Sequence, residues 1–208
     1  MASTNASATA TTALEARSIA LGSVASLVTW VLGYAATYVI VAPDVRESGL
    51  HRALEAFGGE PATYEVVGWV FYNAHFVDTV FRDVPILGTE TSSYVGGDGG
   101  FTAALYAIPI ALLFVAGLGL ARYRGATDWR DGVPIAASVL PGYLLASIAG
   151  VFLVEVSIGG ATGAPDLLPA VVLAGVCYPL VFGGAGGVVG ALTASKPRAE
   201  SESDARPN

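Results

Sequence analysis

The sequence predicts an all-α integral membrane protein, with four transmembrane helices carrying an extracytoplasmic cap of two short amphipathic helices. Three observations predict it. Of 208 residues, 53% are apolar and only 13% are charged, about half the charged fraction of a soluble domain. The charges are segregated, leaving uncharged runs at 18–43, 99–121, 132–154 and 167–195. Each run exceeds the roughly 20 residues that a helix rising about 1.5 Å per residue needs to cross about 30 Å of hydrocarbon.

In chain order, residues 1–16 read as a disordered polar tail rich in Ala, Thr and Ser, without the basic region of a signal peptide. The run that follows is too long for a signal-peptide core, so residues 17–43 are expected to be an uncleaved first span. Residues 44–98 form a long extracytoplasmic loop, 99–122 the second span, 123–131 a cytoplasmic loop and 132–157 the third span. Residues 158–166 form a short outer loop, 167–194 the fourth span and 195–208 a disordered acidic tail. Cys177 is the one cysteine, so no intrachain disulfide forms.

Basic residues flanking spans are retained on the cytoplasmic side. Four spans with both termini inside place Arg17, Arg122, Arg124, Arg130, Lys196, Arg198 and Arg206 inside, against Arg46, Arg52 and Arg82 outside. A fifth span over 66–81 would put the N-terminus outside and separate the charges eight against two. Hydrophobicity decides against it: Glu65, Asn73, His75, Asp78 and Arg82 interrupt the segment, and an Asp near a helix centre costs about 2.5 to 3.5 kcal/mol on insertion scales.

The long loop is patterned. In "APDVRESGLHRALEAFGG", Asp44 fits an N-cap, Glu47 the third helical position of a capping box, and Gly58 and Gly59 a helix end. Leu50, Ala53, Leu54 and Phe57 then share one face, with Glu47, His51 and Glu55 on another. The stretch "EVVGWVFYNAHFVDTVF", 65–81, reads as a second amphipathic helix. Val66, Val70, Ala74, Val77 and Phe81 form its apolar face, and Gly68, Tyr72, His75, Thr79 and Arg82 its wetter one. "GTETSSYVGGDGG" then reads as an exposed strand or loop.

Trp69, Tyr72, Asn73, His75, Asp78 and Glu155 are the candidate ligand or partner contacts. Tyr72, His75, Asp78 and Thr79 fall within about one turn, and Asp78 is positioned to orient His75 as a base. The two histidines with Glu47, Glu55 or Asp78 would make a metal site. Neither arrangement matches a catalytic or metal motif, so no catalytic residue, metal or cofactor is assigned. "VGGDGG" lacks the Lys and Ser or Thr of a phosphate loop, and the net charge of −7 disfavours nucleic acid. Glu155 and Asp166 fall at the outer ends of spans, Asp166 as an N-cap.

The spans carry small residues and prolines. Gly183 with Gly187, and Gly186 with Gly190, have the spacing that lets helices approach closely, as do Gly22 with Ser26, Ser138 with Gly142 and Ala146 with Gly150. They are expected to join the four helices, or to form a homo-oligomer contact. Pro109, Pro141 and Pro179 are expected to kink their spans.

Nine of the ten basic residues are Arg. With the Ala/Gly/Val-rich four-span body and the tail "KPRAESESDARPN", this acidic chain resembles the uncharacterised small multi-span membrane proteins of halophilic archaea, a resemblance that implies no activity. The reading is a non-enzymatic membrane interaction or structural protein whose partners are the bilayer, another membrane protein or a second copy. A small permease or channel-like subunit is the alternative, with Thr29, Thr37, Tyr38 and Tyr143 as its scattered polar path. A membrane enzyme using His75 and Asp78 is a further one.

Orientation is directly testable in a Cys177→Ser background. A cysteine at Ser93 is expected to react with a membrane-impermeant thiol reagent on intact cells, and cysteines at Ser3 and Ser201 are not. Labelling at Ser3 together with Ser93 would mean a fifth span.

Overall fold

The computed structural model describes residues 2–58, 62–85, 88–96 and 100–194, with side chains from residue 15 onward. Four helices are long and apolar enough to cross a membrane: α1 (Ala2–Glu47), α4 (Ala107–Tyr123), α5 (Gly132–Leu153) and α6 (Leu167–Leu192). Many of their apolar side chains, among them Val39, Val115, Leu145 and Val181, lie exposed on the outside of the bundle, as a lipid-facing surface requires. α1 begins at Ala2, inside the stretch read as a disordered tail, and the expected acidic tail at 195–208 lies outside the described residues.

Small residues set how closely the spans approach. On α1 and α5, a Cβ added to Gly22 would strike Ser138, and one added to Gly142 would strike the carbonyl of Ser23. On α4 and α6, Gly117 meets the backbone of Gly183, Gly186 meets the carbonyl of Phe114, and Gly190 meets Ala121 and Leu118. Gly183 and Gly187 also face Val139 and Ile135 of α5. The two glycine pairs of α6 therefore serve two neighbours, one on each side. Arg124, just past α4, donates to the carbonyl of Ser18 at 2.6 Å and to Ser138 Oγ at 2.9 Å, tying three spans together at that end.

The three prolines stand in different settings. Pro109 stands in the first turn of α4, which continues a 3₁₀ turn over Ala103–Tyr106. Pro141 is inside α5. In α6 the helix widens to π geometry over Ala170–Cys177 and again over Pro179–Gly183, on either side of Tyr178.

The cap corrects the all-α expectation. It holds α2 (Gly49–Gly58), α3 (Thr63–Asn73) and a four-stranded antiparallel sheet of order β2-β1-β4-β3, from β1 (Thr79–Val84), β2 (Gly88–Ser92), β3 (Val156–Ile158) and β4 (Ala161–Pro165). The segment read as a short outer loop is thus the β3–β4 hairpin. Its turn residues Gly159 and Gly160 both have positive φ, 59° and 93°, as a tight primed turn requires. β1 carries β-branched and aromatic residues, but β4 ("ATGAP") has little strand character and forms only because its backbone pairs with β1, Thr79 opposite Pro165 and Phe81 opposite Gly163.

The break after the first span also lies elsewhere. α1 continues through Pro43 and Asp44 to Glu47, and Ser48, not Asp44, caps α2, its Oγ accepting from the His51 amide at 3.1 Å. His51 is buried on α2 and bonds Thr63 Oγ1 through Nε2 at 2.8 Å, while Ala53 and Phe57, expected on the packed face, are exposed. The sheet and α3 come to this face of α2 from distant sequence, so helical periodicity alone misplaced it.

One helix supplies its own control for the packing role of glycine. On α4, a Cβ at Gly117 collides with the backbone of Gly183, whereas one at Gly119 meets open space. Gly117→Leu is expected to lower stability by about 1 to 3 kcal/mol or more through overpacking, and Gly119→Leu to change it by less than about 0.5 kcal/mol, measured by equilibrium unfolding in mixed micelles.

Candidate functional site

The 65–81 segment is not one amphipathic helix, because it turns after Asn73 and ends in a strand. Its helix, α3, ends at Asn73, and every residue from Val66 to Asn73 is buried. It leans into the cap end of the bundle among α1, α5 and α6, turns, and leaves as β1. Of the polar stripe expected to face water, Tyr72, His75 and Thr79 are buried in protein, with Tyr72 and His75 hydrogen-bonded there, and only Arg82 is exposed.

The turn accounts for the carbonyls at the end of α3. Val77 N–H bonds the Tyr72 carbonyl at 3.1 Å and Phe76 N–H the Asn73 carbonyl at 2.9 Å, the pair of bonds of a Schellman cap with Phe76 in the left-handed position. Phe76 has φ 58°, a conformation usually left to glycine. Its ring, largely exposed, stacks on Tyr106 with centroids 4.5 Å apart. Ala74 N–H bonds the Val70 carbonyl. The remaining acceptors take side chains: His75 Nδ1 bonds the Phe71 carbonyl at 2.8 Å, and Tyr178 O–H donates to the Ala74 carbonyl at 3.1 Å.

His75 is wholly buried, and its two ring nitrogens have different tasks. Nδ1 faces a carbonyl, so it carries the hydrogen. Nε2 is then the acceptor, and Tyr143 O–H lies 2.8 Å from it. The imidazole is therefore the neutral Nδ1–H tautomer, seated among the rings of Phe71, Tyr143 and Tyr178. Tyr143 stands near the middle of α5, so this histidine lies deep within the helical body.

Asn73 locks the exit. Its Nδ2 donates to the Val77 carbonyl at 2.7 Å, and its Oδ1 accepts the Tyr94 amide at 2.7 Å. Tyr72 O–H donates to the Ser147 carbonyl of α5, and Trp69 Nε1 donates to the Val154 carbonyl at 2.8 Å, capping the end of α5. Tyr94 stacks on Trp69, and burial pushes its phenol up to about 12. Gly163 on β4 leaves room for Phe81 and Trp69, and Gly68 for Val154.

Of the six candidate contacts, the structure brings Trp69, Tyr72, Asn73 and His75 into this one buried assembly, and leaves Asp78 and Glu155 exposed. Asp78 contributes its backbone carbonyl, which accepts from the Asp166 amide at 2.9 Å. The base-orienting pair of His75 with Asp78 is therefore not formed, and the described bonds of His75 are with Phe71 and Tyr143. His51 belongs to a different group, with Thr63 and Glu55. Among the described residues no three His, Cys, Asp or Glu side chains converge as metal ligands would. Tyr143 and Tyr178 are the partners that sequence reasoning missed in this role, because nothing local distinguishes a phenol aimed at α3 from one at a lipid interface. In the spans, Thr29 and Thr37 donate to the carbonyls of Ala25 and Gly33 on their own helix.

These bonds predict a graded mutational response. Tyr143→Phe and Tyr178→Phe each strand a buried acceptor, His75 Nε2 or the Ala74 carbonyl, and each is expected to cost about 1 to 3 kcal/mol. Tyr34→Phe, whose phenol donates to the Tyr64 carbonyl at the surface, is expected to cost less than about 0.5 kcal/mol. Unfolding curves of the three variants in micelles measure the difference.

No curated protein and no solved structure matches the chain. A family profile does match, over residues 1–194, and covers the spans, the cap and the buried assembly described above. The chain therefore belongs to DUF7978, a family of unknown function.

Proposed function

We propose that the protein is a non-enzymatic integral membrane protein that works by contact, with both termini cytoplasmic and the cap offered outside to another membrane component or a second copy. The carrying observation is α3. The segment richest in polar candidates is a wedge set into the bundle, with Trp69, Val70, Phe71 and Tyr72 fully buried and the side chains of Trp69, Tyr72, Asn73 and His75 hydrogen-bonded internally. A polar group already paired and shielded from water is a poor general base or ligand. The glycine faces are likewise occupied within one chain, which favours the cap as the contact surface. Its strand β2 is exposed along most of its length and lies at one edge of the sheet, where backbone groups await a partner.

A second reading, a small permease, draws on one feature. α6 is π-helical on both sides of Tyr178, and π segments recur at functional sites; a shift there would release the Tyr178 bond to α3.

A photo-crosslinker at Glu90 on β2, compared with one at Val115 on the lipid-facing side of α4, separates the two readings in native membranes. The contact reading expects a discrete adduct at Glu90, none at Val115, and proteoliposomes that pass no ions or small solutes. Solute flux without any adduct at the cap would favour the permease.

A further inference from the structure

A crevice opens at the cap end of the bundle between α1, the start of α3 and the end of α5. One part of it, a cavity of about 310 Å³, is walled by Trp30, Tyr34, Tyr64, Leu153 and Val154. Tyr64 also lines a neighbouring cavity of about 250 Å³, whose wall includes Glu65, Glu155 and Ser157. An aromatic, apolar slot thus adjoins a chamber bearing two carboxylates. Tyr64 is 53% and Leu153 69% exposed, so the slot is open toward the side of the bundle, where membrane amphiphiles reside.

The chemistry of the lining selects a ligand class. Trp30 and Tyr34 present parallel rings 6.2 Å apart, and the Glu65 carboxylate stands close enough to the Tyr34 phenol to act on it electrostatically. One Glu65 oxygen, Oε2, an acceptor, is buried with no hydrogen-bond partner among the described residues. Unpartnered buried polar atoms are uncommon in folded proteins. Among the described residues neither cavity is lined by Lys or Arg, so the negative charge is unmatched from within. A small metal ion is a poor complement, because it seeks a shell of oxygens, whereas here half the wall is aromatic or aliphatic. An ammonium group satisfies both halves: it pairs with carboxylates and is attracted to the faces of Trp and Tyr.

We propose that this crevice binds an amphiphile with an ammonium head group, the head held by Glu65 and Glu155 beside Tyr64 and Tyr34, and the apolar chain lying along Trp30, Leu153 and Val154. The proposal shares with the contact reading the placement of this end at the membrane surface and needs nothing from the partner of β2. Its failure would leave the crosslinking result at Glu90 standing, and the converse also holds.

The test is titration calorimetry of the full chain in nanodiscs of an uncharged glycolipid, which carries no ammonium group of its own, with dodecyltrimethylammonium, against empty nanodiscs and against dodecyl maltoside as the uncharged counterpart. The expected result is saturable binding of the cation beyond partitioning into empty discs, weakened about tenfold or more by Glu65→Gln and by Glu155→Gln. Glu155 is exposed, so its Gln variant keeps the test valid even where Glu65→Gln disturbs folding. Glu90→Gln, an equal loss of charge elsewhere on the cap, is expected to leave binding unchanged. Equal binding of the uncharged amphiphile, unchanged affinity in Glu155→Gln, or equal weakening by Glu90→Gln would each overturn the proposal.

Discussion

A helix that ends inside a bundle of long apolar helices leaves its last carbonyls with no water to bind, and the fold is arranged around that deficit. In a span the end of a helix reaches the interface and is hydrated; α3 stops among α1, α5 and α6. Each carbonyl left over costs roughly 1 to 3 kcal/mol if unpaired, and a lipid environment offers no substitute. The solution is a Schellman turn completed by side chains. His75 reaches back to Phe71, Tyr178 reaches across to Ala74, and Asn73 closes the exit on Val77. This use of the polar residues explains why a segment that reads as chemically equipped is sealed from solvent.

The same constraint divides the bundle into two kinds of packing. Away from the cap, glycine and serine bring helix against helix: Gly22 and Gly142 between α1 and α5, Gly117, Gly186 and Gly190 between α4 and α6. At the cap end the glycines make room for rings instead. Gly33 faces Phe71, and Gly150 faces Tyr72 and Trp30. Backbones touch at one end and stand apart at the other by the thickness of an aromatic wedge. Trp30, Tyr34, Phe71 and Tyr72 fill that space largely edge to face, an arrangement worth about 0.5 to 1.5 kcal/mol per pair beyond simple burial.

The sheet joins the wedge to the spans on either side of it. β1 emerges directly from the α3 turn and pairs with β4, which leads through Asp166 into α6; the Asp78 carbonyl takes the Asp166 amide at 2.9 Å. The wedge is therefore held at its base by side chains of α5 and α6, and at its exit by the strand that starts α6. Displacing α3 would require all of these to yield together, which makes the cap and the bundle one mechanical unit.

Composition and charge segregation alone determined the four helices long and apolar enough to cross a membrane and the small-residue spacings along them, because long uncharged runs are legible whatever the rest of the chain does. Local signals also placed the helix stop at Gly58 and the cap at Asp166, and left the segment that begins with β2 as an exposed strand or loop. Only tertiary structure decided the fate of 65–81. The stripe that holds Tyr72 and His75 has the same periodicity whether it meets water or the carbonyls and phenols of other helices, and the partners of this segment lie up to about a hundred residues away in sequence, as with Tyr178 and Ala74. The strand at 161–165 was equally hidden, since "ATGAP" owes its extended form to backbone pairing with β1, which no local pattern records.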